Sequence, residues 1–223
     1  MARSGRFAFL AHGVHPDIVN RFLILALVAA FFATGACGQS SEPGTPDEIV
    51  KGAVEGVLAA IREDSGAKSG DVSRIAKVVE QKFLPATDFQ RTIRIAVGPA
   101  WQSATAEQQH ALFEQFQILV TRVYALELTQ ISDQSVKFHY QPAAPIGGDG
   151  DVLVKTKIVT NGDESDIQYR LARSASGWKI YDINILGSWL STLYQRQFSD
   201  RLAQGGIDAL TKTLREKNSR SLD

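Results

Sequence analysis

The apolar residues of this 223-residue chain change their period near residue 133, and that change restricts the fold more than any other feature. Before it they recur at helical spacing; after it they alternate, as in strands. Thr45-Pro46-Asp47-Glu48 opens the first helix, with Thr as N-cap, Pro at N1 and Glu at N3. Ile49, Val50, Val54, Val57, Leu58 and Ile61 give it one apolar face. A polar Gly/Ser loop is expected over 64–70. Asp71 caps a second helix, about 72–83, with Ile75, Val78, Val79 and Phe83 inward; Leu84-Pro85 ends it. Thr87 or Asp88 caps a third, 88–97, which Gly98-Pro99 stops. Thr105-Ala-Glu-Gln108 is a capping box for the longest helix, about 106–128, with Leu112, Phe113, Phe116, Leu119, Val120, Val123 and Tyr124 as its stripe.

Val136, Phe138 and Tyr140 begin the alternating region, and Val152, Val154, Thr156 and Ile158 repeat the pattern. Asn161-Gly162 is a hairpin-type turn. Ile167, Tyr169 and Leu171 share one face of the returning strand, 165–173, and 178–185 is a fourth strand after a turn at 174–177. Gly187-Ser188 then starts a helix with Leu190, Tyr194, Phe198 and Leu202 at i+4 spacing. Gly205-Gly206 breaks it before a last amphipathic helix containing Ile207, Leu210 and Leu214. Helices, then an antiparallel meander, then closing helices make an α+β domain: a curved four-stranded sheet covered by helices.

The first forty residues are a different kind of polymer. Arg3, Arg6 and Arg21 stand against Asp17, an apolar run of about a dozen residues follows from Phe22 to Ala33, and Thr34-Gly-Ala-Cys-Gly38 are small. This pattern is a secretory signal, and the run is shorter than the roughly 20 residues a membrane span needs. Residues 1–36 are read as that signal, 37–46 as a short tether and 47–223 as one domain. Peptidase cleavage after Ala36 or Gly38 and lipidation of Cys37 both remain open. Thr34 at −3 is not the bulky aliphatic of a usual lipobox. The expected location is the periplasm, with the domain soluble, or membrane-tethered if Cys37 is acylated.

Charge and cysteine exclude several classes. The 24 basic and 24 acidic residues of the whole chain give no basic excess for a nucleic-acid partner. Without Arg3, Arg6, Arg21 and Asp17, the exported part has a small acidic excess. Cys37 is the single cysteine, so no intramolecular disulfide or CxxC chemistry exists.

A search for catalytic chemistry finds little. Beyond the leader the histidines are His110 and His139, neither in a metal-ligand pattern, so no metal is expected. There is no GxSxG, P-loop or GxGxxG. Gly147-Gly-Asp-Gly-Asp151 lacks the ligand spacing of a calcium loop and reads as a strand-connecting turn. Asp182, inside the apolar Ile180-Tyr-Asp-Ile183 run, is either a base with a raised pKa or a structural anchor. Arg91, Arg94, Lys155, Lys157, Arg170 and Arg173 are most simply solvated charges, though some would suit the rim of a cavity that meets a phosphate.

Three stretches carry a family resemblance. The first is Leu84-Pro-Ala-Thr-Asp-Phe89, Ala96-Val-Gly98 and Trp101-Gln-Ser-Ala-Thr-Ala-Glu-Gln108. The second is Phe113-Glu-Gln-Phe116 through Thr121-Arg-Val-Tyr124. The third is Gly177-Trp-Lys-Ile-Tyr-Asp-Ile183, Gly187-Ser188, Tyr194-Gln-Arg-Gln-Phe198 and Gly206-Ile-Asp-Ala-Leu210. Their order and spacing, over about residues 45–217, resemble the MlaC or toluene-tolerance (Ttg2) family of periplasmic phospholipid carriers. Ile185-Leu-Gly-Ser188 followed by Trp189 departs from the family's pattern, and Trp189 is expected to reshape the pocket mouth.

The resemblance implies an α+β domain distantly like the NTF2 cone, with a deep apolar pocket for acyl chains. It implies a diacyl phospholipid as ligand, without other cofactor. Its implied partners are an inner-membrane ABC transporter with an MCE-domain subunit and an outer-membrane lipoprotein–porin complex, between which lipid moves to maintain outer-membrane asymmetry. Residues suited to the lining are Phe89, Ile93, Val97 and Trp101, then Phe116, Val120 and Tyr124, with Val154, Ile158, Ile167, Tyr169 and Leu171 as the sheet floor. Arg91, Arg94 and Lys155 are candidate head-group contacts. Each buried methylene is worth about 0.8 kcal/mol, so two chains of roughly 16 carbons need an extensive apolar wall. Periodicity alone does not separate a lined cavity from a filled core. Two alternatives therefore stand: an NTF2-like isomerase or hydratase using Asp182 with Tyr181 or Tyr169, and a membrane-tethered adaptor with a filled core.

Overall fold

Thr45 opens α1 (Pro46–Glu63) as the capping pattern requires, its N–H donating to the Glu48 carboxylate at 2.8 Å. The computed structural model of the protein describes residues 44–129, 136–160 and 163–220. The leader, Cys37 and the tether up to residue 43 lie outside the described residues, and Pro46, the expected last residue of the tether, is already the first of α1. Over 64–70 a turn of helix, α2 (Ser65–Lys68), replaces the expected loop, because Asp64 accepts from the Ala67 N–H at 2.8 Å. Asp71 caps α3 (Val72–Lys82), accepting from the Ser73 and Arg74 N–H groups at 2.9 and 3.1 Å. A 3₁₀ turn, Leu84–Ala86, forms at Pro85.

Asp88, rather than Thr87, caps α4 (Phe89–Val97), its carboxylate accepting from the Arg91 N–H at 2.9 Å. Gly98 ends the helix at φ 68°, ψ −143°, a region reserved for glycine. A four-residue helix, α5 (Ala100–Ser103), carries Trp101. Thr105 and Gln108 then cap one another reciprocally, at 3.0 and 3.2 Å, at the start of α6 (Ala106–Thr129).

The sheet has six strands among the described residues where four were expected. They are β1 (Val136–Tyr140), β2 (Ala144–Ile146), β3 (Asp151–Thr160), β4 (Asp163–Ser174), β5 (Gly177–Ile185) and β6 (Ser188–Trp189). The order is β1-β3-β4-β5-β6, all antiparallel, and β2 also pairs with β3. The four expected strands are β1, β3, β4 and β5. β1 and β2 occupy successive stretches of the same edge of β3; between them the Gln141 N–H still donates to the Lys155 carbonyl at 2.9 Å. Pro142 and Pro145 have no N–H for a ladder, so their place is an edge.

β6 corrects a second expectation. Gly187-Ser188 does not start the closing helix. Leu186 and Gly187, at φ 50° and 83°, form a two-residue hairpin turn that pairs Ile185 with Ser188 and Asn184 with Trp189. The helix, α7 (Leu190–Arg220), begins after it and kinks at Gly205-Gly206, where Gly206 holds φ 62°, ψ −154°.

Three apolar clusters hold the domain together. The helical one joins α4, α5, α6 and α7 around Phe116, which is fully buried and whose ring lies 5.2 Å from Phe89, 4.7 Å from Tyr194 and 5.2 Å from Phe198. A second gathers Val57 and Ile61 of α1 with Ile75, Val78 and Val79 of α3 and Ala125 of α6. The third sets Val50 of α1 on Val154, Tyr169, Leu171 and Ile180 of the sheet. Phe83 packs against both the second and the third.

Candidate functional site

The sheet has two chemically distinct faces, and register decides which residues share each. Paired residues point the same way. Tyr140 pairs with Thr156, Thr156 with Ile167, Val154 with Tyr169 and Val152 with Leu171. These side chains, with Phe138 and Ile158, make an apolar face that α1 covers through Ile49, Val50 and Val54. The aromatic rings of Phe138 and Tyr140 stack along the edge strand with centroids 6.3 Å apart.

The opposite face carries Lys155, Lys157, Gln168, Arg170, Asp182 and Asn184. Asp182 reaches that face through a bulge: the pairing slips between Leu171–Ile180 and Arg170–Asp182, so Tyr181 is the extra residue. Ile180 therefore stays on the apolar face while Asp182, two residues later, points away from it. Asp182 is 1% exposed, and all its acceptor capacity is used. Oδ1 accepts from the N–H groups of Ile183 and Ser191, both at 3.1 Å. Oδ2 accepts from the Ser191 hydroxyl at 2.7 Å and from Arg170 Nη1 at 3.3 Å. The Arg170 guanidinium stacks on Trp189 at 3.7 Å. Trp189 thus belongs to this face, not to a mouth over the apolar one. Asp182 anchors the start of α7 to β5 and has no free oxygen to act as a base.

A second ion pair fastens α4 to the sheet. Arg91 Nη2 lies 2.6 Å from Asp151 Oδ2, and the Tyr181 hydroxyl donates to the same oxygen at 2.8 Å. The guanidinium also lies over the Tyr181 ring at 3.7 Å. Burial pushes the Asp151 carboxyl up, but donation from Arg91 and Tyr181 outweighs it and holds the group below its ordinary value. Residues 147–150 form the turn into β3, and the Asp151 carboxylate is committed to this pair. Among the described residues no group of three or more His, Cys, Asp or Glu is placed to hold a metal ion. His110 lies 3.3 Å from Glu114 on exposed helix surface.

The expected lining residues separate into two groups. Phe89, Ile93, Val97, Trp101 and Phe116 are members of the helical cluster, with Val120 and Tyr124 packed against it. Val154, Tyr169 and Leu171, with Ile167 beside them, are in the sheet cluster under α1, and Ile158 is buried on the same face. Of the expected head-group contacts, Arg91 is paired with Asp151, Arg94 is exposed on α4, and Lys155 is exposed on the polar face of the sheet. A cleft of about 490 Å³ opens at the start of α4, where Phe89, Trp101 and Phe113 meet Asp88, Gln109, His110 and Gln117. The short strands β2 and β6 had no signal in the periodicity; Tyr140 and Thr156 were both legible as positions of alternating faces, but nothing in the periodicity marked them as a directly paired couple whose hydroxyls find no partner among the described residues.

Fold and site define a class: an α+β domain in which helices cover one apolar face of an open antiparallel sheet. The family described as MlaC protein matches residues 51–216. This chain belongs to that family. It is 38% identical to the phospholipid-binding protein from Ralstonia solanacearum, whose structure was solved in complex with a phospholipid; the likeness covers 81% of this chain and 100% of that one, with a TM-score of 0.73. The intermembrane phospholipid transport system binding protein MlaC of Haemophilus influenzae is 22% identical over 208 residues, 90% of this chain and 94% of its own. The toluene tolerance protein ttg2D of Pseudomonas putida is 22% identical over 192 residues, 86% of each chain.

Proposed function

We propose that this protein binds phospholipid and carries it between membranes. The observation that carries the reading is the 38% identity to a protein solved with a phospholipid, over the whole of that protein's length. The apolar sheet face supports it physically, since a carrier must replace bilayer hydrocarbon with side-chain hydrocarbon at about 25 cal/mol per Å². The name of the H. influenzae relative, an intermembrane phospholipid transport system binding protein, supports a place in a transport system. In that system the carrier exchanges lipid with an inner-membrane ABC transporter bearing an MCE-domain subunit and with an outer-membrane lipoprotein–porin complex, in the periplasm. The basic, apolar and small-residue order of residues 1–38 supports export. No catalysis belongs to this reading, and the filled acceptor sites of Asp182 weigh against the isomerase or hydratase alternative.

Native mass spectrometry of the mature domain tests the reading. The expected result is a co-purified mass equal to a diacyl phospholipid, together with uptake of labelled phospholipid from vesicles. A lipid-free protein that takes up none would sink it.

A further inference from the structure

We propose that the hydroxyls of Tyr140 and Thr156 seat the ester carbonyls of a diacyl lipid laid against the sheet, an inference that rests on the lipid-carrier reading. Thr156 is 0% exposed, and its Oγ1 has no hydrogen-bond partner among the described residues. The Tyr140 phenol oxygen is likewise buried and without a partner among them. The two residues are directly paired across β1 and β3, so their Cα atoms are about 5 Å apart and their side chains leave the sheet on the same side. Val154 and Ile158 flank Thr156 on that side, and neither can donate or accept.

A buried hydroxyl without a partner is disfavoured against a methyl of the same shape. Valine and phenylalanine would have filled these positions in a purely apolar face. Two adjacent hydroxyls there suit a ligand that brings hydrogen-bond acceptors into an otherwise apolar setting. Acyl methylenes bring none. The two ester carbonyls of a diacyl lipid do, and they sit side by side between head group and chains. The position along the sheet agrees. β1 is the edge strand, and Tyr140 as a residue is only half-buried, though its phenol oxygen is enclosed. Tyr140 therefore stands where the apolar face meets the polar rim, the level at which ester groups lie.

The probe is a pair of phospholipids with the same head group and chains, one ester-linked and one ether-linked. Equimolar vesicles of the two are offered to the full mature domain, and the bound ratio is read by native mass spectrometry. The ether lipid lacks only the carbonyls, and a lost hydrogen bond is worth up to about tenfold. Wild type is expected to favour the ester by roughly tenfold or more. Tyr140→Phe and Thr156→Val are each expected to reduce that preference several-fold, and the double variant to bring the ratio near one. Thr156→Ser, which retains the hydroxyl, should retain the preference. Circular dichroism confirms that each variant is folded. A wild-type ratio near one, with both lipids bound, overturns the proposal while leaving the carrier reading intact, and assigns the hydroxyls to water. Failure to bind either lipid overturns the carrier reading itself, and this inference with it.

Discussion

Replacing Asp182 tests whether the sheet and the closing helix are joined by one buried carboxylate. Its side chain is fully buried, whereas that of Arg170 is 35% exposed. Asp182→Asn keeps the shape. The amide oxygen can still accept from the Ile183 and Ser191 N–H groups, and the Ser191 hydroxyl can turn to accept from the new NH₂. What is lost is the ionic strengthening of these bonds and the pairing with Arg170, which can swing into water. Hydrogen bonds to charged groups exceed neutral ones by about 1 kcal/mol each, and the partly exposed pair adds little, so the cost is about 2–3 kcal/mol. Asp182→Ala also strips two buried backbone N–H groups of their acceptor, at about 1–3 kcal/mol each, giving about 3–5 kcal/mol in all. At 2–4 °C per kcal/mol for a domain of this size, the expected drops in Tm are roughly 4–12 °C for Asn and 6–20 °C for Ala. Urea denaturation at pH 7 followed by circular dichroism gives the free energies. Phospholipid uptake well below Tm should be unchanged within about threefold, because Asp182 points away from the apolar face. Two variants both within 1 kcal/mol of wild type would refute the anchor. Lost lipid uptake in a folded variant would instead place Asp182 at the ligand.

Two further substitutions probe local chemistry. Leu186 holds φ 50° at the β5–β6 turn and is 59% exposed, so it carries backbone strain of about 1–2 kcal/mol without compensating burial. Leu186→Asn, which creates the preferred Asn-Gly turn, should raise Tm by roughly 2–4 °C in a thermal melt; an unchanged or lower value would contradict the strain. Asp151 has a folded pKa below its unfolded one, so its contribution is present above about pH 4 and disappears as pH falls through the folded value. Urea midpoints of wild type should fall on acidification, and those of Asp151→Asn should fall less steeply and start lower at pH 7. Parallel pH curves for the two proteins would exclude the Arg91–Asp151 pair as a source of acid sensitivity.

Local chemistry was legible in the sequence wherever one residue type had one use. Asp71, Asp88 and the Thr105–Gln108 box cap helices where their spacing says, because an orphan N–H needs the nearest side-chain oxygen. The strands β1, β3, β4 and β5 follow from alternation for the same local reason. The β5–β6 hairpin was not legible, since an aliphatic residue at positive φ runs against local preference and is tolerated only where the surrounding sheet imposes it. The family resemblance, too, was carried by short motifs in order.

Tertiary structure alone decided which apolar residues belong together. Twelve residues expected to line one pocket fall into an aromatic cluster around Phe116 and a sheet face under α1, because period specifies a buried side but not what lies across it. The bulge at Tyr181 turned Asp182 from the apolar face to the face of Arg170 and α7, a reversal set by a one-residue slip against β4. The pairing of Tyr140 with Thr156 depends on register between strands separated by ten residues of chain, 141–150, that no local pattern measures. Side-chain neighbours across a sheet are fixed by hydrogen-bond pairing over long sequence separation, so the chain declares its elements locally and its site only once folded.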